Sequence, residues 1–224
     1  MQVLIVGSGK LASELLSGLS LPAPLTVRSW SSAPVAKGRS AVVHTGSGRE
    51  LNDAIAYCRE TNSVLIELAT GSNIEVASPT FPVVLCPNTN ILMLKFMNML
   101  AKSGRLFEGY RIELTESHQA EKQSTPGTAV AIAQSLGLPA EDVISVRDRD
   151  AQLTTLRIPS EHLGRHALHS VLIDDGTCRV LLETRVYGSS PYAHGVSKIV
   201  SAVATRPLEN RVYAIDEFVE HGWV

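Results

Sequence analysis

The sequence predicts an α/β protein in two parts: an N-terminal domain built on a parallel sheet, and a second α/β domain bearing an open mixed sheet. Three observations predict it. Short β-branched runs alternate with helical stretches up to about residue 90, the pattern of strands joined by right-handed crossover helices. A methionine-rich apolar helix then marks a change of character. Beyond about residue 150 the apolar residues fall into β-like runs with a turn signal between the last two, before a final helical segment. The expected division is residues 1–90, completed by 192–224, and residues 91–191.

Each element has a local reason. Gln2 to Val6 is a short β-branched run and SELLSGL after it is helix-like. Pro24 to Val27 reads as a second strand, SAVVHTG as a third, RELNDAIAYCRETN as an amphipathic helix, SVLIELATG as a buried strand and FPVVLCPN as another. NILMLKFMNMLAKSG is an apolar helix in which Met93, Met97 and Met99 are expected to pack rather than bind metal. YRIELTES is a strand, TAVAIAQSLG a helix, and QLTTLRIP, RHALHSVLI and CRVLLETRVY read as strands, with Asp174-Asp175-Gly176-Thr177 as the hairpin turn between the last two. PYAHGVSKIVSAVATRP returns to a helix.

Composition narrows the function classes. A chain of 224 residues, 44% hydrophobic with a net charge of −2, can build a real core and carries no basic footprint. Small molecules are therefore the expected partners, not nucleic acid or a membrane. Cys58, Cys86 and Cys178 are widely spaced and odd in number, which argues for a reducing cytoplasm. No metal is expected: His162, His166 and His169 span a loop and a strand, with no carboxylate at a matching offset.

The first strand runs into Gly7-Ser8-Gly9-Lys10-Leu11-Ala12 and then a helix, a G-x-G-x-x-A turn. Gly7 permits the tight turn, Gly9 lets backbone approach a pyrophosphate, and Ala12 allows close helix packing. This reads as a Rossmann-like dinucleotide site, with phosphates over the free N–H groups of the helix start. Where an NAD enzyme commonly places an acidic residue on the ribose, the chain has Arg28 and Ser29. Those two, with Lys10, suit a ribose 2′-phosphate, so NADPH is the expected cofactor and NADH the alternative. The strand ends at Thr45, at Ala69-Thr70-Gly71 and at Pro87-Asn88 are expected to line the same cofactor.

The second signal is ESHQAEKQSTPGT at 116–128. Thr125 suits an N-cap and Pro126 a first helical position, leaving Gly127 and Thr128 to present N–H groups at the positive end of a helix. A carboxylate held there would have the imidazole of His118 and the ammonium of Lys122 beside it, groups that can meet charge developing on a C=N or conjugated C=C.

Taken together these stretches resemble the 4-hydroxy-tetrahydrodipicolinate reductases (dihydrodipicolinate reductases) of lysine and diaminopimelate synthesis, whose signature is close to E-x-H-H-x-x-K-x-D-A-P-S-G-T-A. The resemblance extends to the T-G loop at Thr70-Gly71, the hinge at Pro87-Asn88 and Ala193-His194-Gly195. It implies acid/base and proton-donor roles for His118 and Lys122, a substrate carboxylate held by Gly127 and Thr128, a small dicarboxylate substrate, and a homotetramer built on the second sheet. Four positions depart from the pattern: Gln119 replaces the second histidine, Ser124-Thr125-Pro126 is one residue short, His44-Thr45-Gly46 replaces D-F-T, and Ala12 replaces the last glycine. Gln119 is still expected to contact substrate, since an amide donates a hydrogen bond.

Overall fold

The computed structural model describes residues 1–32, 38–46, 48–69, 71–76, 78–122, 126–188 and 192–224. The chain forms two compact units, Met1–Leu94 with Tyr192–Val224, and Lys95–Pro191.

In the first unit β1 (Gln2–Val6) leads through the glycine turn into α1 (Lys10–Gly18), then β2 (Thr26–Ser29), β3 (Ser40–His44), α2 (Leu51–Thr61), β4 (Val64–Glu67) and β5 (Val83–Leu85). The second strand begins two residues later than the sequence suggests. Its register, Gln2 opposite Thr26 and Ile5 opposite Ser29, is parallel to β1, so Arg28 and Ser29 are its last two residues and not a loop beyond it. The helix α3 (Ile91–Ser103) follows, begun by Asn90, whose Oδ1 accepts the Met93 N–H at 3.1 Å. Met93 is buried as expected and Met97 is partly buried, but Met99 is 46% exposed and does not belong to the core.

The second unit contains β6 (Arg111–His118), α4 (Gly127–Ser135), β7 (Ile144–Val146), α5 (Arg149–Thr154), β8 (Ala167–Asp174) and β9 (Arg179–Val186). Its sheet has the order β7-β6-β8-β9, with β6–β8 and β8–β9 antiparallel and β7 parallel to β6. One face, with Leu114, Val171 and Ile173, packs under Leu100, Ile132, Ala133 and Leu136. The stretch QLTTLRIP is not a strand. Asp148 caps α5 by accepting the Ala151 N–H at 2.8 Å, and this cap sets Gln152 to Thr154 in a helix despite their β-branched neighbours. The short β7 was not anticipated; three residues are too few to show a period.

The chain then returns to the first unit as α6 (Ala193–Thr205), β10 (Val212–Ala214) and α7 (Ile215–Glu220). The completed sheet is parallel throughout, in the order β10-β5-β4-β3-β1-β2. Alternation along its central strands explains why both faces are dry. Val3, Ile5, Ala41 and Val43 join one cluster with Ala12, Leu15, Val196 and Ile199, while Leu4, Val6, Val42 and Leu65 join another with Leu51 and Ala54. Gly195 lets α6 lie against the backbone of Thr89: a Cβ there would fall 1.6 Å from the Thr89 carbonyl oxygen. Glu14 on α1 accepts the main-chain N–H groups of Tyr192 and Ala193 at 2.9 and 3.2 Å, holding the first turn of α6.

Candidate active site

In the first unit the sheet order reverses between β1 and β3, and ligands of open α/β sheets bind at the strand ends beside such a reversal. Gly7 sits there with φ +124°, a conformation that favours glycine, and a Cβ on it would meet Thr45 Oγ1 at 2.5 Å. Thr45 is held in turn, its N–H and its hydroxyl both donating to the Val6 carbonyl at 2.9 Å. Gly9 is the N-cap of α1, and a Cβ there would meet nothing within 4 Å, so the helix start has open space in front of it. Ser8 and Lys10 are exposed and Leu11 half-buried around that space. An exposed Arg28 and a half-buried Ser29, its hydroxyl 2.9 Å from Ser31 Oγ, end the neighbouring strand. This arrangement fits a dinucleotide: a helix N-terminus free to face phosphate, a backbone cradle that a side chain would fill, and a guanidinium at the next strand end.

The remaining expected cofactor residues lie at the ends of β4 and β5. Ala69 donates its N–H to Glu67 Oε1 at 2.8 Å, Gly71 has φ +73°, and Asn88 Oδ1 accepts the Asn90 N–H at 2.9 Å beside an exposed Pro87. Thr70 lies outside the described residues.

In the second unit Glu116 and His118 are two residues apart on β6, so their side chains leave the same face. His118 Nδ1 lies 2.8 Å from Glu116 Oε2. Glu116 is fully buried and its other contacts are strong: Arg147 Nη2 donates to Oε1 at 2.6 Å, Arg147 Nη1 to Oε2 at 3.2 Å, and the Ser145 hydroxyl to Oε1. Burial opposes ionisation, but the hydrogen bonds from His118, Arg147 and Ser145 outweigh it and hold this carboxyl at about 2. An ionised acceptor fixes Nδ1 as the N–H and leaves Nε2 of the half-buried His118 for chemistry.

Arg147 does more than neutralise a carboxylate. Its Nε donates to the Lys122 carbonyl at 2.8 Å, and Lys122 N–H donates to Gln119 O at 3.0 Å, so the loop carrying Gln119 and Lys122 is tied to the same buried charge. Gln152, itself buried, donates to the His118 carbonyl at 2.8 Å and to Ser117 Oγ at 3.1 Å. His166 pairs with Ser117 Oγ at 3.0 Å, His162 stacks on Tyr187, and His169 lies edge-on to His118 with ring centroids 5.7 Å apart. Burial and the nearby His118 push His169 down to about 4, and burial also pushes His166 down.

The helix α4 begins at Gly127 with Pro126 as its N-cap, so Pro126 stands one position before the place expected of it; Thr125 lies outside the described residues. Gly127 is exposed and a Cβ on it would meet nothing within 4 Å. Thr128 is half-buried, and both N–H groups belong to the first turn, which lacks intrahelical acceptors.

The family profile described as "Dihydrodipicolinate reductase, C-terminus" matches residues 90–219. The chain belongs to the dihydrodipicolinate reductase family. Among relatives of this family, a probable 4-hydroxy-tetrahydrodipicolinate reductase 1, chloroplastic, of Oryza sativa subsp. japonica is 41% identical over 96 residues, which is 40% of this chain and 28% of the relative. The 4-hydroxy-tetrahydrodipicolinate reductase 2, chloroplastic, of Arabidopsis thaliana is 32% identical over 126 residues, 52% of this chain and 36% of the relative. The chain thus matches about a third of the length of these curated relatives. The dipicolinate-bound dihydrodipicolinate reductase from Paenisporosarcina sp. TG-14 superposes with a TM-score of 0.62 at 16% identity, covering 96% of this chain and 98% of that one, and so shares the fold.

Among the features of this dihydrodipicolinate reductase family member, Arg147, Ser145, Gln152 and the buried pair of His44 and Glu67 escaped the sequence reading. The one available signal was the apolar ISV run before Arg147, a strand of only three residues.

Proposed function

We propose that the protein is an NADPH-preferring reductase of a cyclic, carboxylated imine, with the 4-hydroxy-tetrahydrodipicolinate of the lysine and diaminopimelate route as its substrate. The observation that carries this reading is the Glu116-oriented His118 on the strand that leads, through the Arg147-tied loop bearing Lys122, to the Gly127–Thr128 helix start. Bound NADPH supplies the hydride. The protein does the rest. The N–H groups of Gly127 and Thr128 hold a substrate carboxylate at the positive end of α4, and Gln119 offers its amide to the same ligand. In this reading His118 Nε2 supplies a proton and the Lys122 ammonium a positive charge as the ring gains electrons.

Gly7, Ser8, Gly9, Lys10 and Leu11 hold the pyrophosphate in this reading, Arg28 and Ser29 the ribose phosphate, and the strand ends at Thr45, Ala69, Thr70, Gly71, Pro87 and Asn88 the remaining cofactor surface. A homotetramer and a cytoplasmic setting complete the proposal. Support for assembly comes from β9, an edge strand on which Leu181 is 61% exposed and Val180 37% exposed. All three cysteines are free, in keeping with a reducing compartment, and among the described residues no helix is long and apolar enough to cross a membrane.

The test couples the purified protein to the synthase that supplies the precursor and follows NADPH absorbance. Consumption that needs both components supports the reading. A protein that binds NADPH but leaves this precursor untouched, while turning over another carboxylated imine, would move the assignment to that substrate, and Gln119 is the residue that favours such a shift.

A further inference from the structure

The ends of β3 and β4 carry a polar pair that the chemistry above does not use. His44 closes β3, Glu67 closes β4, and the two residues are partners in the parallel register. Their side chains are 1% and 0% exposed, with His44 Nδ1 2.8 Å from Oε1 and 2.9 Å from Oε2 of Glu67. Glu67 Oε1 also accepts the Ala69 N–H at 2.8 Å. The second ring nitrogen, Nε2, is buried without a hydrogen-bond partner among the described residues.

Stability alone gives little reason for such a pair, because two polar groups at this depth are often replaced by apolar side chains without loss. Its position gives a better one. His44 sits beside the sheet-order reversal, opposite Val6, and its Nε2 would be 3.3 Å from a Cβ on Gly46. The next residue, Thr45, packs on Gly7 and is bonded to Val6. On the other side, Glu67 holds Ala69, the first residue of the loop after β4 that was assigned to the cofactor. The loop after β3 and the loop after β4 therefore start from one buried pair, and Thr45 carries the first of them onto the glycine turn.

We propose that His44 and Glu67 are positioning residues for the nicotinamide dinucleotide: their pairing sets the loops after β3 and β4 against the glycine turn, so that the crevice is shaped before the cofactor arrives. Given the reading of the first unit as dinucleotide-binding, on which this rests, the entropic cost of ordering two loops is met in the fold itself and does not subtract from affinity. With Glu67 as the acceptor, Nδ1 carries the proton, and Nε2, which has no partner among the described residues, is left as an acceptor.

The test measures NADPH affinity by fluorescence titration alongside the thermal midpoint, in the unmodified protein, in the paired variant His44→Leu with Glu67→Leu, and in His44→Asn. The paired variant should bind NADPH roughly ten- to a hundredfold more weakly, the scale of a lost hydrogen bond to a charged group, with a midpoint at or above that of the unmodified protein because both buried polar partners are removed together. His44→Asn, whose amide N–H replaces Nδ1, should recover most of the affinity. A paired leucine variant that binds like the unmodified protein would overturn the proposal, as would an asparagine variant no better than the paired one, or weaker binding that merely tracks a falling midpoint. Nitrogen-15 spectra should show His44 protonated at Nδ1; protonation at Nε2 alone would remove the contact on which the role depends. If the unmodified protein binds neither NADPH nor NADH, the dinucleotide reading itself falls and the positioning role falls with it.

Discussion

Arg147 grips Glu116 with both terminal nitrogens, Nη2 2.6 Å from Oε1 and Nη1 3.2 Å from Oε2, while its Nε holds the Lys122 carbonyl. One guanidinium thereby fixes the orienting carboxylate of His118 and the loop that carries Lys122. Arg147→Ala strands a buried charge, and we expect a loss of about 3–5 kcal/mol in urea denaturation at neutral pH. Arg147→Lys keeps the charge but not the planar fork, and should retain more stability than Ala while still lowering kcat. An alanine variant as stable as the unmodified protein would show that the Glu116 charge is satisfied without Arg147.

Acid should weaken the protein in two separable windows. His169 is held near 4 against an ordinary 6.5, chiefly by burial. Between those values the unfolded chain takes a proton that the native state refuses, so stability falls as pH drops from about 6.5 to about 4. Glu116 is held near 2 against 4.5. Its contribution is complete above about 4.5 and is lost as pH falls toward about 2, and each group is worth on the order of 3 kcal/mol. Denaturant titrations at several pH values should show His169→Leu flattening the upper window and Glu116→Gln the lower one.

Lys122→Ala and His118→Ala should leave NADPH affinity nearly unchanged, because both residues belong to the second unit and the glycine turn to the first. Turnover should fall by about 10²–10⁴-fold with a smaller change in KM, the range for a general acid or base acting in the transition state. Thr128→Pro, which removes that main-chain N–H within the first helical turn, should instead raise KM. Steady-state kinetics paired with cofactor titration separate the three, and unchanged turnover in both alanine variants would reduce the 116–128 stretch to a connecting loop.

Arg28 is exposed at the end of β2 with no acidic residue beside it in sequence. NADPH should therefore bind more tightly than NADH, and Arg28→Asp should erase or reverse the preference by about 1–3 kcal/mol. Equal affinity of the unmodified protein for the two cofactors would contradict the role.

The glycine turn and the His118–Lys122 loop could be picked out because their pattern is local: strand, glycines and helix follow one another, and four residues separate the imidazole from the ammonium. The Glu116–Arg147 and His44–Glu67 pairs were not, because 31 and 23 residues separate the partners and only strand register brings them together. Ser145 stands opposite Glu116 on a strand of three residues, too short to announce itself. At Gln152 the side chain of Asp148 overruled the β-branched run that follows, an outcome settled by one cap and not by propensity.

The return of the chain at Tyr192 to finish the first sheet has a consequence for synthesis. A nascent chain leaving the ribosome completes β1 to β5 early, yet α6, which covers Val3, Ile5, Ala41 and Val43, and β10, which closes the open edge of β5, emerge only after the whole second unit. At about 5–20 residues per second, the intervening unit delays them by roughly five to twenty seconds. The second unit, continuous in the chain, can fold while the first still waits for its cover. Folding order is then the reverse of synthesis order, and the apolar face of the first sheet stays bare throughout that interval.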